Sequence, residues 1–178
     1  CAQEPRAIQL DIEPYALSQW NTNKQQTANE FLDLLDKLSA LKPPVPLRYA
    51  IPRWFDVRLI TRTGSTVARP LHALVLDRGH VMVMDYVNSG SRAIADAKEE
   101  IAYASSVGKG VVLALETMQL PTEPTATFYG QTPQALEQAL TEIHNAYNGK
   151  NASYEAVCVH HYKSWKTFVG NNFGRWNY

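Results

Sequence analysis

Residues 8–15 read Ile-Gln-Leu-Asp-Ile-Glu-Pro-Tyr, and this stretch decides the fold. It starts apolar, with Ile8 and Leu10, and ends in two carboxylates, Asp11 and Glu13. Pro14 has no N–H to donate, so ladder pairing stops there. An apolar strand with an acidic carboxyl end belongs to a parallel α/β sheet, where chemistry sits beyond the strand ends. The pattern recurs four times. Residues 47–56 end in Trp54 and Asp56, 81–86 in Asp85 and Tyr86, 111–117 in Glu116 and Thr117, and 156–162 in His160, His161 and Tyr162. Five such strands would bring their polar tips to one site.

Between the strands the spacing turns helical. Residues 27–41 carry Ala28, Phe31, Leu34, Leu35, Leu38 and Leu41 on one stripe. Residues 71–76 fit one short helical turn, and 61–70 a small hairpin around Gly64. Residues 91–107 form the next helix, with Ser91 as its N-cap and Gly108 closing it in the left-handed conformation. Thr132 and Pro133 cap and open a helix that Gly149 ends. Residues 18–23 and 118–131 are loops, and the tail from Lys163 is a short helix followed by aromatic coil. The result is βαβαβαβαβ in a single domain, residues 1–178. No glycine-rich phosphate loop follows any strand, which argues against a nucleotide-binding sheet. A full (β/α)8 barrel needs roughly 250 residues. The expectation is therefore a partial barrel, its five parallel strands standing for barrel strands 4–8, as the C-terminal part of a longer barrel.

Lysine plus arginine number 17, as do aspartate plus glutamate, so the formal charge is zero. No basic patch recommends nucleic acid or an anionic membrane as partner. No apolar run is long enough to span a bilayer. Cys1 and Cys158 give no disulfide framework. Cys1 matches either the lipidated cysteine of a processed lipoprotein or a chain cut at that point, and the short spacing to the first strand favours the cut. The compartment stays open between secreted, periplasmic and lipoprotein.

Glu13-Pro14 and Glu116, at strands three apart, resemble the large retaining clan of glycosidase barrels. There, strand four supplies an acid/base glutamate before proline, and strand seven a nucleophilic glutamate. Ile12 stands where that clan has asparagine. Asp11-Ile12-Glu13 and Met84-Asp85-Tyr86 also resemble the Asp-x-Glu and Met-x-Tyr motifs of chitinase-like barrels. Gln9 and His160-His161-Tyr162 depart from that family's acid and tryptophan. LDIEPY, IPRWFD, VMDY, ALET and HHY together are similar to a group of bacterial barrel proteins.

These resemblances imply a carbohydrate-active hydrolase without a cofactor. Glu13 would be the acid/base and Glu116 the nucleophile or stabiliser, with Asp11 and Asp85 tuning them. Tyr86, His160, His161, Tyr162, Trp54 and Trp165 would bind the sugar. Two other readings stay open. Asp11, Glu13, Asp85, Glu116 and the histidine pair could hold a divalent metal. A severed or degenerate half barrel could bind carbohydrate without turning it over, or bind nothing, in which case the isolated chain would have little or no glycosidase activity. Five parallel strands also leave two sheet edges, which implies self-association.

Overall fold

The computed structural model describes residues 6–170. Cys1 and the aromatic tail with Phe173, Trp176 and Tyr178 lie outside the described residues. The fold is α/β. A parallel sheet is built from β1 (Ile8–Leu10), β2 (Leu47–Pro52) and three further strands, while β3 (Leu59–Thr61) and β4 (Ala68–Pro70) form a separate antiparallel hairpin. The other sheet strands are β5 (His80–Met84), β6 (Val111–Glu116) and β7 (Tyr154–His160). Their order is β1-β2-β5-β6-β7, each parallel to its neighbour. The order never reverses, so the sheet has no internal switch point of the doubly wound kind.

The helices are α1 (Ser18–Thr22), α2 (Lys24–Ala40), α3 (Leu71–Leu76), α4 (Gly90–Asp96), α5 (Lys98–Val107), α6 (Pro133–Tyr147) and α7 (Tyr162–Val169). They lie against one face of the sheet. Phe31, Leu32 and Leu35 of α2, Leu71 and Leu74 of α3, Ile101 of α5 and Leu136, Leu140 and Ile143 of α6 join one core. Their sheet partners are Tyr49, Ile51, Val81, Val83, Val111, Leu113 and Leu115. The alternate residues, Ala50, Met82, Met84, Val112 and Ala114, form a second cluster on the opposite face; among the described residues no α-helix contributes a side chain to it, and Tyr15, Tyr86 and Cys158 pack against it.

Side chains on that second face reach across the sheet. Gln9 of β1 bonds the Met82 sulfur of β5 at 3.0 Å. Arg48 of β2 is ion-paired with Glu155 of β7. Three strand steps separate those two strands, about 14 Å in a flat sheet. The face is therefore concave, and the small side chains Ala50 and Ala114 leave room for the curl.

Several sequence expectations shift at their boundaries. Residues 18–23 are not a loop: Trp20, 5% exposed, anchors α1. The 91–107 helix is two helices joined at Ala97, and the cap is Ser89, whose hydroxyl accepts from Arg92 N–H at 3.4 Å. Gly108 does close α5 with φ +64°. Thr132 does cap α6, accepting from Ala135 N–H at 3.2 Å. The first and second strands end earlier than expected. Pro14–Ala16 and Arg53–Phe55 are 3-10 turns that carry Tyr15 and Trp54 over the sheet's end.

Candidate functional site

Because all five strands are parallel, their carboxyl ends share one rim. Alternation decides which tips face the concavity. Gln9 does, and Asp11 and Glu13, past the end of β1, both act on Tyr86, which packs on that same face. Asp11 follows β1 and His160 ends β7, strands four steps apart in the sheet, yet His160 is near enough to act on the Asp11 carboxyl. Burial pushes the Asp11 carboxyl up, Glu13 adds to this, and His160 pulls the other way.

Glu13 is exposed and accepts a 2.5 Å bond from the Tyr15 hydroxyl. Burial, then that bond, raises the Tyr15 pKa. Glu116 is 1% exposed. Its Oε1 accepts the backbone N–H groups of Thr117 at 2.7 Å and Met118 at 2.6 Å. Its Oε2 lies 2.6 Å from Nδ1 of His160, whose side chain is 46% exposed. A carboxylate that takes the Nδ1–H fixes the tautomer and leaves Nε2 as the working nitrogen. The Tyr86 ring stacks on His160 at 5.8 Å and 27°. Burial, then Glu116, Asp11, Cys158 and Glu13 raise the Tyr86 pKa, which places the ring among those groups.

A cavity of about 430 Å³ opens beside this group, with Glu13, Tyr15, Trp54 and Tyr86 on its wall. Arg53 and Arg92 complete another part of it. The loop from Thr122 to Ala126 forms the remaining side. That loop is pinned back onto the sheet. Thr127 Oγ1 donates to Glu116 O at 3.2 Å and Met118 O at 2.7 Å, and Asn88 N–H donates to Thr125 O at 3.2 Å. Trp54 is held in an edge-to-face aromatic cluster with Tyr15 at 5.3 Å, Phe55 at 4.9 Å and Trp20 at 6.1 Å.

The remaining sequence candidates go elsewhere. Asp85 follows Met84 and turns to the helical side. It is 0% exposed, neither oxygen has a hydrogen-bond partner, and burial pushes its pKa up to about 8. Its charged neighbours are Asp96, Arg53 and Arg92. Glu100 of α5, also 0% exposed with both oxygens unpartnered, is likewise raised to about 8 by burial. Asp85 and Asp56 add to that shift.

His161 Nδ1 lies 2.9 Å from Ser164 Oγ, where it helps to cap α7. The His160–His161 peptide is cis. Tyr162 and Trp165 line a different cavity, of about 490 Å³, between α6, α7 and the outer edge of β7. Among the described residues no group of three or more His, Cys, Asp or Glu side chains converges in a way that could hold a metal ion. No helix is long and apolar enough to cross a membrane, among the described residues.

Sequence reasoning missed Tyr15, Arg53, Arg92 and Glu123. The first two sit in the quoted strand-end stretches and were within reach of the same rule. Arg92 and Glu123 come from a helix and a loop that carry no motif.

No protein-family model matches this chain, and no curated protein or solved structure matches it either.

Proposed function

We propose that the chain is a segment of a (β/α)8 barrel, strands 4–8, that acts on carbohydrate as a glycoside hydrolase. Three features support the barrel: the sheet order never reverses, the helices share one face, and the other face is concave. The observation that carries the activity is the cavity wall. It combines an exposed carboxyl, Glu13, with the aromatic faces of Trp54 and Tyr86 on which a sugar ring would stack.

Glu13 is the proton donor to the glycosidic oxygen, steadied by the Tyr15 hydroxyl. Direct attack by Glu116 on an anomeric carbon is disfavoured. Its carboxylate is shielded, and its oxygens are engaged by two backbone N–H groups and His160. Glu116 acts instead through His160, which it orients to take a proton from water or to stabilise developing charge.

A library of aryl and natural glycosides tests this with the wild-type chain, Glu13→Gln and His160→Ala. Turnover of at least one glycoside is expected. Glu13→Gln should lose about 10²–10⁴-fold on poor leaving groups. It should lose much less on dinitrophenyl glycosides, whose leaving group needs no proton. Turnover indifferent to Glu13→Gln, or a folded chain that binds no glycoside, would overturn the reading.

A further inference from the structure

The sugar-binding cavity has a cationic corner that its own carboxylates do not serve. Arg53 and Arg92 both line it. Both turn to a single partner, Asp96, at 2.7 Å from Arg53 Nη1 and 3.7 Å from Arg92 Nε. Asp96 is not on the cavity wall. Among the described residues neither arginine is ion-paired with Glu13 or Glu123, the two acids that are. The arginine side chains keep 37% and 48% of their surface exposed, so a ligand can reach them. The nearby Asp85 is a weakened counter-charge, because burial pushes its pKa up to about 8 against the pull of the two arginines. Two guanidiniums thus share one carboxylate, and the more loosely held of them, Arg92, faces the space where a sugar would lie.

Guanidinium is a planar fork of donors that matches a carboxylate in two-point contact. A neutral hexose offers only hydroxyls there and would leave the two-point donor fork of Arg92 without a charged acceptor of its own. We infer that the substrate of this cavity is an acidic sugar, a hexuronate-type glycoside whose carboxylate docks on Arg53 and Arg92 while its ring lies against Trp54 and Tyr86. This rests on the carbohydrate reading above and sharpens it to a substrate class. Glu13 lies on the same wall. An anion held by the arginines leaves the Glu13 carboxyl free for its proton-donor role.

The test is calorimetric titration of the full chain with oligomers of glucuronate, galacturonate and mannuronate. Each is run beside its neutral methyl ester, with neutral hexose oligomers and sulfated hexose oligomers as further arms. At least one uronate should bind roughly ten-fold or more tightly than its ester, as expected for a charge-assisted contact. The preference should shrink with salt. The double variant Arg53→Gln/Arg92→Gln should abolish the preference. Arg58→Gln should keep it, since Arg58 lies over Trp54 at 5.9 Å and does not line the cavity. Melting curves on both variants establish that they fold.

Equal affinity for acid and ester, or a preference that survives the double variant, would overturn the acidic-sugar inference and leave the carbohydrate reading standing. Tighter binding of sulfated oligomers would overturn the carboxylate assignment. A folded chain that binds no member of the panel would overturn both.

Discussion

Glu13 and Glu116 are both glutamates at the rim of one sheet, and their surroundings give them opposite properties. Glu13 is exposed, with one tyrosine hydroxyl for company. Glu116 is sealed behind His160 and bonded to two backbone amides. Glu116→Gln exchanges one acceptor oxygen for an NH2 group that opposes either the amides or the His160 Nδ1–H. A buried carboxylate losing its matched partners costs about 1–3 kcal/mol. We expect that drop in a denaturant titration, whereas Glu13→Gln, at an exposed site, should move stability by less than about 0.5 kcal/mol. Equal losses in the two variants would show that the difference in burial has no energetic weight.

Asp85 and Glu100 give the fold a pH dependence of its own. Burial raises their pKa values to about 8 in the folded chain, from the ordinary 3.8 of an aspartate and 4.5 of a glutamate. Below pH 4 both states are protonated, and the full stability is present. Between about pH 4 and pH 8 the unfolded chain has released these protons and the folded chain has not, so stability falls as pH rises. The slope is at most about 1.4 kcal/mol per pH unit for each group. Urea midpoints from pH 5 to pH 8 should decline in the wild type. The decline should flatten in Asp85→Asn/Glu100→Gln, and an unchanged slope there would contradict the assignment.

At the scale of elements, local sequence carried most of the architecture. Residues 111–116 are buried on both faces, so their apolar run reads as a strand without help from periodicity. Thr132-Pro133 and Gly108 placed a helix start and a helix end because capping chemistry is local. α1 was not legible. Its composition is polar, and what holds it is Trp20 docked near Trp54, a contact across the fold. The break at Ala97 was hidden for a similar reason, since both half-helices are good local sequence.

The site was legible as far as strand ends reach. Glu13, Trp54, Tyr86, Glu116 and His160 gather at one end of the sheet, as the strand-end rule implies. Asp85 was misplaced by one residue of alternation. His161, Tyr162 and Trp165 lie past the end of β7 and face α7 or the sheet edge instead. Arg92 is visible only once α4 is folded against the rim.

Two helices meet at a glycine. A Cβ on Gly90 of α4 would stand 2.8 Å from the Ala139 carbonyl oxygen and 2.9 Å from its Cα, both backbone atoms of α6. Backbone yields less than a side-chain tip, so Gly90→Ala should cost about 1–3 kcal/mol through overpacking. Arg92 sits two residues on, so the shift should also weaken whatever ligand the arginines hold. A thermal melt at wild-type temperature would show that α4 and α6 have room to part.

For the whole molecule the open question is the two outer strands. Among the described residues no strand pairs with the free side of β1 or of β7. Ile8 on β1 is 39% exposed, and Ala156 on β7 lies in the edge cavity beside Leu140 and Trp165. Unpaired edges with apolar side chains recruit other strands. The 178-residue chain should therefore self-associate as its concentration rises, in sedimentation velocity runs. Ile8→Lys and Ala156→Lys should suppress this, since a charge on an edge strand blocks pairing. A chain that stays monomeric at all concentrations would show that its edges are protected.

In the proposed reaction a sugar binds at the strand-end rim and its glycosidic oxygen is protonated there by Glu13. The most direct measurement is a crystal structure of the Glu13→Gln chain soaked with the tightest-binding glycoside. A ring stacked on Trp54 or Tyr86 is expected, with its glycosidic oxygen within about 3 Å of the residue 13 side chain. A sugar bound in the β7-edge cavity, or in the rim cavity with its glycosidic bond turned away from residue 13, would contradict it.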